Sequence, residues 1–370
     1  MTCRTYDVAV VGGGPAGSIC AVLLARAGLA VCLFCTATAC LRRREILAPP
    51  AIRAVRSLDI EDLESVFGTE TCVGVESRWS EEEPTYFDYE LYACEAALTV
   101  ERPVLDQQLV RFAVDSGVDL FAPTRVVDVK RGQRDIWTLI AADRETRCSD
   151  SFQARFLVDA SGKDSTTKAI GDRRRRVQDT AIAFQFSIGQ TRSPENTLLL
   201  DCSPDGWWYS MPNTSGEADL VFVTDIKLAP RGGLQRAEWM IQMFKQARLL
   251  SDRITGIPNF RHHRGCLAHS SQGGNFCGNG WIAVGDAAWA CDPLSGSGLL
   301  VAIQTASRAS LAILDSLHGR EESFGRYQTW CASESRVMEA KRQEVYAQVM
   351  SSVRTFPYWR ARHKKTTGNA

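Results

Sequence analysis

"YDVAVVGGGPAGSICAVLLARAGLAV", residues 6 to 31, decides the fold. Residues 6 to 11 form an apolar run of strand length, and Pro15 to Ala27 read as a helix closed by Gly28. A second strand, 30 to 34, follows. Between strand and helix stands Gly12-x-Gly14-x-x-Gly17. The first glycine permits a tight turn, the second lets the backbone approach a pyrophosphate, and the third lets the helix pack closely on the strand. Free N–H groups at the helix N-terminus then face the phosphates. Gly12, Gly14, Pro15, Ala16 and Gly17 are therefore the expected cofactor-binding residues.

Such a unit ordinarily ends its second strand with an acid that holds ribose hydroxyls. Here Val31-Cys32-Leu33-Phe34 runs into Cys35, and no Asp or Glu stands between Asp7 and Glu45. Three arginines, Arg42 to Arg44, occupy the loop instead. A thiol lacks a carboxylate's two acceptor oxygens. The spacing therefore predicts a loosely held adenosine end, with Thr36, Thr38 or an arginine of 42 to 44, Arg43 foremost, compensating.

A second strand-to-helix junction lies about 270 residues downstream. Gly285-Asp286-Ala287-Ala288 leads to Asp292-Pro293-Leu294-Ser295-Gly296-Ser297-Gly298, which opens a long buried helix over "GLLVAIQTASRASLAILDSL". Asp286 can hydrogen-bond a sugar hydroxyl, and the helix start can face an anionic or carbonyl-bearing group. Asp286, Pro293, Gly296, Gly298 and Leu299 join the expected contacts. Two such junctions imply one extended ligand held at both ends, and FAD has that length.

Between the junctions the texture changes. From about 180 to 225, "IAFQFSIG", "TLLLDC", "GWWYSMP" and "DLVFVTD" are closely spaced strands, the pattern of an antiparallel sheet. The tail from Glu321 to Val353 reads as one amphipathic helix carrying Phe324, Tyr327, Trp330, Val337, Val345, Val349 and Val353. The organisation expected is an α/β protein in three parts. A discontinuous Rossmann-like domain takes 1–75, 100–180 and 266–320, a substrate domain takes 76–99 and 181–265, and a C-terminal helical extension takes 321–370.

Composition narrows the partners. Lys plus Arg and Asp plus Glu both count 43, so no global charge draws the chain to nucleic acid. The apolar runs fall short of a membrane span, and a first strand near Tyr6 leaves no room for a signal peptide, so a cytoplasmic location is expected. The 13 cysteines lack the spacing of a disulfide framework and read as small buried hydrophobes. Cys32 and Cys35 form a CxxC on a strand, where they face opposite sides. No metal-ligand cluster stands out. His262, His263 and His269 lack identifiable acid partners and read as structural.

The segments 7 to 31 and "WIAVGDAAWACDPLSGSGLLVAIQTA" (281 to 306) together resemble the flavoprotein monooxygenase superfamily, with its aromatic hydroxylases, flavin-dependent halogenases and geranylgeranyl-reductase-like enzymes. "EILAPPAIRAVRSLDI" (45 to 60), "ERPVLDQQL" (101 to 109) and "FLVDASGKDS" (156 to 165) fit in the same order. The resemblance implies a glutathione-reductase-type FAD domain, with Arg102 leaning on the flavin and Glu45 as the candidate catalytic acid beside it. It also implies electrons from NAD(P)H or a separate flavin reductase, and O2 as co-substrate. "DGWWYSMP" (205 to 212) and "FPYWRARH" (356 to 363) are similar to a branch that oxidises a partner polypeptide's tryptophan on the way to a tryptophylquinone, which marks Trp207 and Tyr209 as candidate substrate contacts.

The activity this implies is hydroxylation of an aromatic substrate, an indole free or in a polypeptide, through a flavin hydroperoxide. The alternatives are a flavin-dependent halogenase and an alkene reductase of geranylgeranyl type. Halogenases of the family use a lysine in the first hundred or so residues, whereas the first lysine here is Lys130. Arginine, which keeps its proton, is a poor replacement.

Overall fold

The structure, a computed structural model, describes residues 4–36, 44–60, 64–67, 70–132, 135–143, 146, 148–163, 176–190, 196–212, 217–255, 260, 264–272, 274–320 and 322–363. Arg43, with Thr38, Arg42, His262 and His263, lies outside these residues.

The first strand (Arg4–Val11) is central to a sheet whose parallel members run Asp119–Phe121, Val31–Phe34, Arg4–Val11, Ser149–Asp159 and Trp281–Ala283. Numbered along the chain, that order is 3-2-1-4-5, the doubly wound arrangement of a Rossmann-like domain. The antiparallel strands Trp137–Asp143 and Thr124–Arg131 extend one side of it. Val8, Ala9, Val10, Cys32, Leu33, Leu157 and Val158 are buried with the helices Pro15–Arg26 and Gly298–Leu317, which pack on one another. Their alanines (Ala21, Ala302, Ala306, Ala309) keep that contact close.

A seven-stranded sheet forms the second layer, in the order Arg264–Leu267, Ala181–Gln190, Glu217–Asp225, Gly206–Pro212, Thr197–Ser203, Gly74–Arg78, Thr85–Asp88. It is antiparallel except where Thr197–Ser203 lies parallel to Gly74–Arg78. Trp207 and Trp208 are neighbours on one strand and so face opposite sides of the sheet, yet both indoles are fully buried. Trp208 stacks on Phe222 at 4.1 Å, on the face covered by the helices Gly233–Gln246 and Arg248–Arg253. Trp207 lies on the other face, packed with Trp79, Tyr346 and Trp359. A sheet covered on both faces buries both members of the pair.

The C-terminal segment is three helices, Glu322–Ala347, Ser351–Arg354 and Pro357–His363, rather than one. Its buried seam is Tyr327, Cys331, Ser335, Arg342 and Tyr346, while Val337 and Val345 are 43% and 37% exposed. Tyr327, Val349 and Val353 of the expected stripe are buried, whereas Val337 and Val345 give way to Arg342, which turns inward to buried carboxylates. No helix of the described residues is long and apolar enough to cross a membrane.

Candidate functional site

In a 3-2-1-4-5 sheet the chain leaves the central strand in opposite directions, and a crevice opens at the carboxyl ends of strands 1 and 4. Val11 is in register with Asp159, so Gly12 and Ala160 are the first residues beyond that pair. Gly12 has φ +116°, and a Cβ there would collide with the Ala160 carbonyl oxygen. A Cβ at Gly17 would collide with the carbonyl of Gly12. These two glycines shape the turn. Gly14, Pro15 and Ala16 line the cavity it leaves.

That cavity, about 430 Å³, brings together both glycine junctions. Asp286, Pro293, Gly296, Gly298 and Leu299 line it, as do Glu45, Arg102, Trp207 and Tyr209. A Cβ at Gly285 (φ +58°) would sit 2.8 Å from that of Ala16, so the junctions touch. The helix Pro15–Arg26 is N-capped by Gly14 and the helix Gly298–Leu317 by Ser297, neither with a side-chain capping bond. Two sets of first-turn N–H groups are thus left for other acceptors at one cavity. The Trp207 Nε1 is buried there without a hydrogen-bond partner. A long ligand carrying phosphates and ring carbonyls fits this donor set, and FAD is such a ligand.

The end of the second strand carries the departure seen in the sequence. Cys35 packs so closely on the turn that a Cβ at Gly13 would lie 2.7 Å from its Sγ. Burial pushes its thiol up, the Gly13 backbone lowers it and the charge of Asp106 raises it again. A carboxylate therefore does stand near the strand end, but it comes from the helix Arg102–Asp115. Arg102 donates through Nε and Nη2 to Asp106 at 3.1 and 3.2 Å, and through Nη1 to both oxygens of Glu45 at 3.0 and 3.1 Å. The two-nitrogen guanidinium fork is thus on Asp106, while Glu45 straddles the remaining Nη1 with both oxygens. Arg44, the described member of the arginine trio, lines the cavity and pairs with Glu101 at 3.2 Å.

The second junction is braced from the C-terminus. Asp292 is fully buried, and its Oδ1 accepts from Leu294 N at 3.0 Å, capping the turn Pro293–Ser295. Tyr346 donates its hydroxyl to Oδ2 at 3.1 Å, and the Arg342 guanidinium lies 3.5 Å away while forking onto Glu339. Burial raises the Asp292 carboxyl, and Arg342 pulls it back. Tyr358 and Trp359, the terminal aromatics, are buried behind Trp207, with Trp359 Nε1 donating to Ser203 O at 2.9 Å. Neither lines the cavity.

Ala183, Gln185, Leu200, Trp207, Tyr209 and Val221 form the sheet-side wall. Tyr89 also lines the cavity, and burial pushes its phenol up to about 12, so it stays protonated. Lys163 is the lysine lining the cavity among the described residues, whereas Lys130 is exposed and paired with Asp128. Sequence reasoning missed Tyr89, which only the fold brings to the site; Lys163 and Asp106 lie within the segments 156 to 165 and 101 to 109 that it singled out, but it gave them no role. Among the described residues no cluster of His, Cys, Asp or Glu could hold a metal ion.

Comparison with known proteins agrees with this fold. The profile of the FAD binding domain family matches residues 5–340. The chain is 23% identical over 369 residues to a 1H-pyrrole-2-carbonyl-[peptidyl-carrier protein] chlorinase of Pseudomonas fluorescens, covering 89% of this chain and 80% of the relative. Among solved structures it superposes on the myxobacterial chondrochloren halogenase CndH with a TM-score of 0.83 at 24% identity, covering 97% of this chain and 86% of that one. It superposes on the peptidyl tryptophan dihydroxylase QhpG with a TM-score of 0.78 at 19% identity, covering 97% and 79%. Halogenases recur among the other relatives, beside digeranylgeranylglycerophospholipid reductases.

Proposed function

The chain belongs to the FAD binding domain family, and we propose that it oxidises an electron-rich aromatic substrate, free or carried on a polypeptide, against the wall of Trp207 and Tyr209. One observation carries this reading: the aromatic wall and the two uncapped helix N-termini share one cavity. FAD, when bound and reduced, would supply the activation of O2. The residues of both glycine junctions would hold it, with Asp286 near a ribose and Arg102 positioned by Glu45 and Asp106. The sheet wall would exclude water and set the approach of the ring. Electrons would come from NAD(P)H or a separate flavin reductase.

Oxygen transfer is the form that the lack of a lysine in residues 1 to 129 favours, whereas Lys163 on the cavity wall is the cation that a halogenase reading would use. Residues 1 to 129 contain no lysine, and Lys163 lies beside the Asp159 strand end rather than in that early segment. Halogenation is the second reading, and the names of the relatives weigh more toward it than toward hydroxylation. The test of the shared reading is the purified protein's flavin. It should bind FAD stoichiometrically, and the reduced form should reoxidise rapidly in air with peroxide release when no substrate is present. A flavin that stays reduced in air would overturn it.

A further inference from the structure

Residues 80 to 95, "SEEEPTYFDYELYACE", contain six carboxylates and no lysine or arginine. They form a hairpin turn, the strand Thr85–Asp88 and the short helix Tyr89–Ala93. Four large apolar side chains stand in solvent there: Leu91 at 73%, Tyr92 at 66%, Tyr86 at 51% and Phe87 at 44% exposure. Phe87 stacks on Tyr92 at 4.9 Å and meets Tyr89 edge-on at 5.6 Å. Tyr89 in turn lines the cavity. The aromatic surface and the cavity wall are therefore continuous through one side chain.

The strand Thr85–Asp88 is also last in the order of the seven-stranded sheet among the described residues. An edge strand presents backbone N–H and C=O groups to an incoming extended chain. Glu82 is paired with Arg78, and Glu95 with Arg53 and Arg56, which leaves Glu81, Glu83, Asp88 and Glu90 to set the local field. Two copies of so acidic a patch meeting face to face would oppose like charges, and an anionic bilayer would be repelled. The complementary partner is cationic, extended and aromatic.

We propose that residues 81–92 are a docking apron for a basic polypeptide whose aromatic side chain enters the cavity past Tyr89. This rests on the proposed oxidation of an aromatic substrate and specifies the carrier of that ring. The edge strand takes the peptide backbone, Leu91 and Tyr92 take apolar side chains, and the carboxylates take flanking lysines or arginines.

The probes are a fluorescein-labelled peptide with one tryptophan flanked by lysines, its glutamate counterpart, and N-acetyltryptophanamide. Binding to the FAD-loaded protein is followed by anisotropy at low and moderate salt. The lysine peptide should bind in a salt-dependent way and the glutamate peptide should not. The double variants Leu91→Ser/Tyr92→Ser and Glu81→Lys/Glu83→Lys should each weaken binding at least about tenfold, with flavin content and circular dichroism unchanged. Equal binding of the lysine peptide to wild type and both variants overturns the proposal, as does no binding at low salt. So does a wild-type dimer that Leu91→Ser/Tyr92→Ser dissociates, or binding to neutral phosphatidylcholine vesicles lost in that variant. Oxidation of N-acetyltryptophanamide without apron-dependent peptide binding sinks this inference alone. Apron-dependent binding with no probe oxidised sinks the functional reading alone.

Discussion

Gly12 and Ala160, 148 positions apart in the chain, abut at the carboxyl ends of adjacent parallel strands, with no room for a Cβ between them. The contact closes the turn over which the first helix opens toward the cavity. Gly12→Ala must resolve both a collision with backbone and a φ of +116°. We expect a loss of about 2–4 kcal/mol in stability and of FAD retention, read by denaturant unfolding and flavin-to-protein ratio. Gly28→Ala, where φ is +89° but nothing crowds the Cβ, should lose stability while keeping its flavin.

The Arg102 fork joins Glu45 to Asp106, and Asp106 is the acid whose charge reaches Cys35. Asp106→Asn should weaken FAD binding about tenfold, with Arg44→Ala weakening it less, in a fluorescence titration. A comparable loss is expected from Arg102→Lys, because an ammonium cannot fork onto two carboxylates at once. Undiminished affinity in all three would place the adenosine grip elsewhere.

Asp201 is fully buried and receives Arg78 Nε at 2.7 Å. Burial pushes its carboxyl up from 3.8 to about 7, against the pull of Arg78. Between about pH 4 and pH 7 the folded chain therefore keeps a proton that the unfolded chain has released. Its contribution to stability is present at acid pH and is lost as pH rises through about 7. Urea unfolding across that range should show a downward slope that Asp201→Asn flattens. Arg78→Ala, which strands the carboxylate, should cost about 3–5 kcal/mol at neutral pH.

Trp207 and Trp208 are adjacent but belong to different faces. Trp208→Ala should cost about 3–5 kcal/mol, since it empties the layer between Phe222 and the covering helices. Trp207→Phe should cost less than about 1.5 kcal/mol and instead raise KM for an aromatic substrate. Thermal melts beside steady-state kinetics would separate the two. An equal melting loss with unchanged KM would remove Trp207 from the substrate wall.

Glycine junctions were legible in the sequence because each requirement is local: a tight turn, a close approach, an open helix start. The α/β class of the first domain was legible with them, whereas the order of its parallel strands came from the structure. Asp106 was not legible as a carboxylate near the end of the second strand, since the strand rule looks for an acid on the strand and this one arrives from a helix 71 residues beyond Cys35. Tyr89 was equally hidden, because its place on the cavity wall depends on the hairpin that joins the second sheet through Thr197–Ser203. The partly displaced stripe of the C-terminal helix shows the same limit. An inward Arg342 is dictated by Asp292, Asp179 and Glu339, whose convergence only the fold creates.

The most direct measurement is the mass of the product formed by FAD-loaded protein, reduced flavin and an indole substrate under labelled O2, with bromide present. Incorporation of labelled oxygen into the ring, with no bromine, is the result predicted. Brominated product carrying no label would contradict oxygen transfer and establish halogenation in its place.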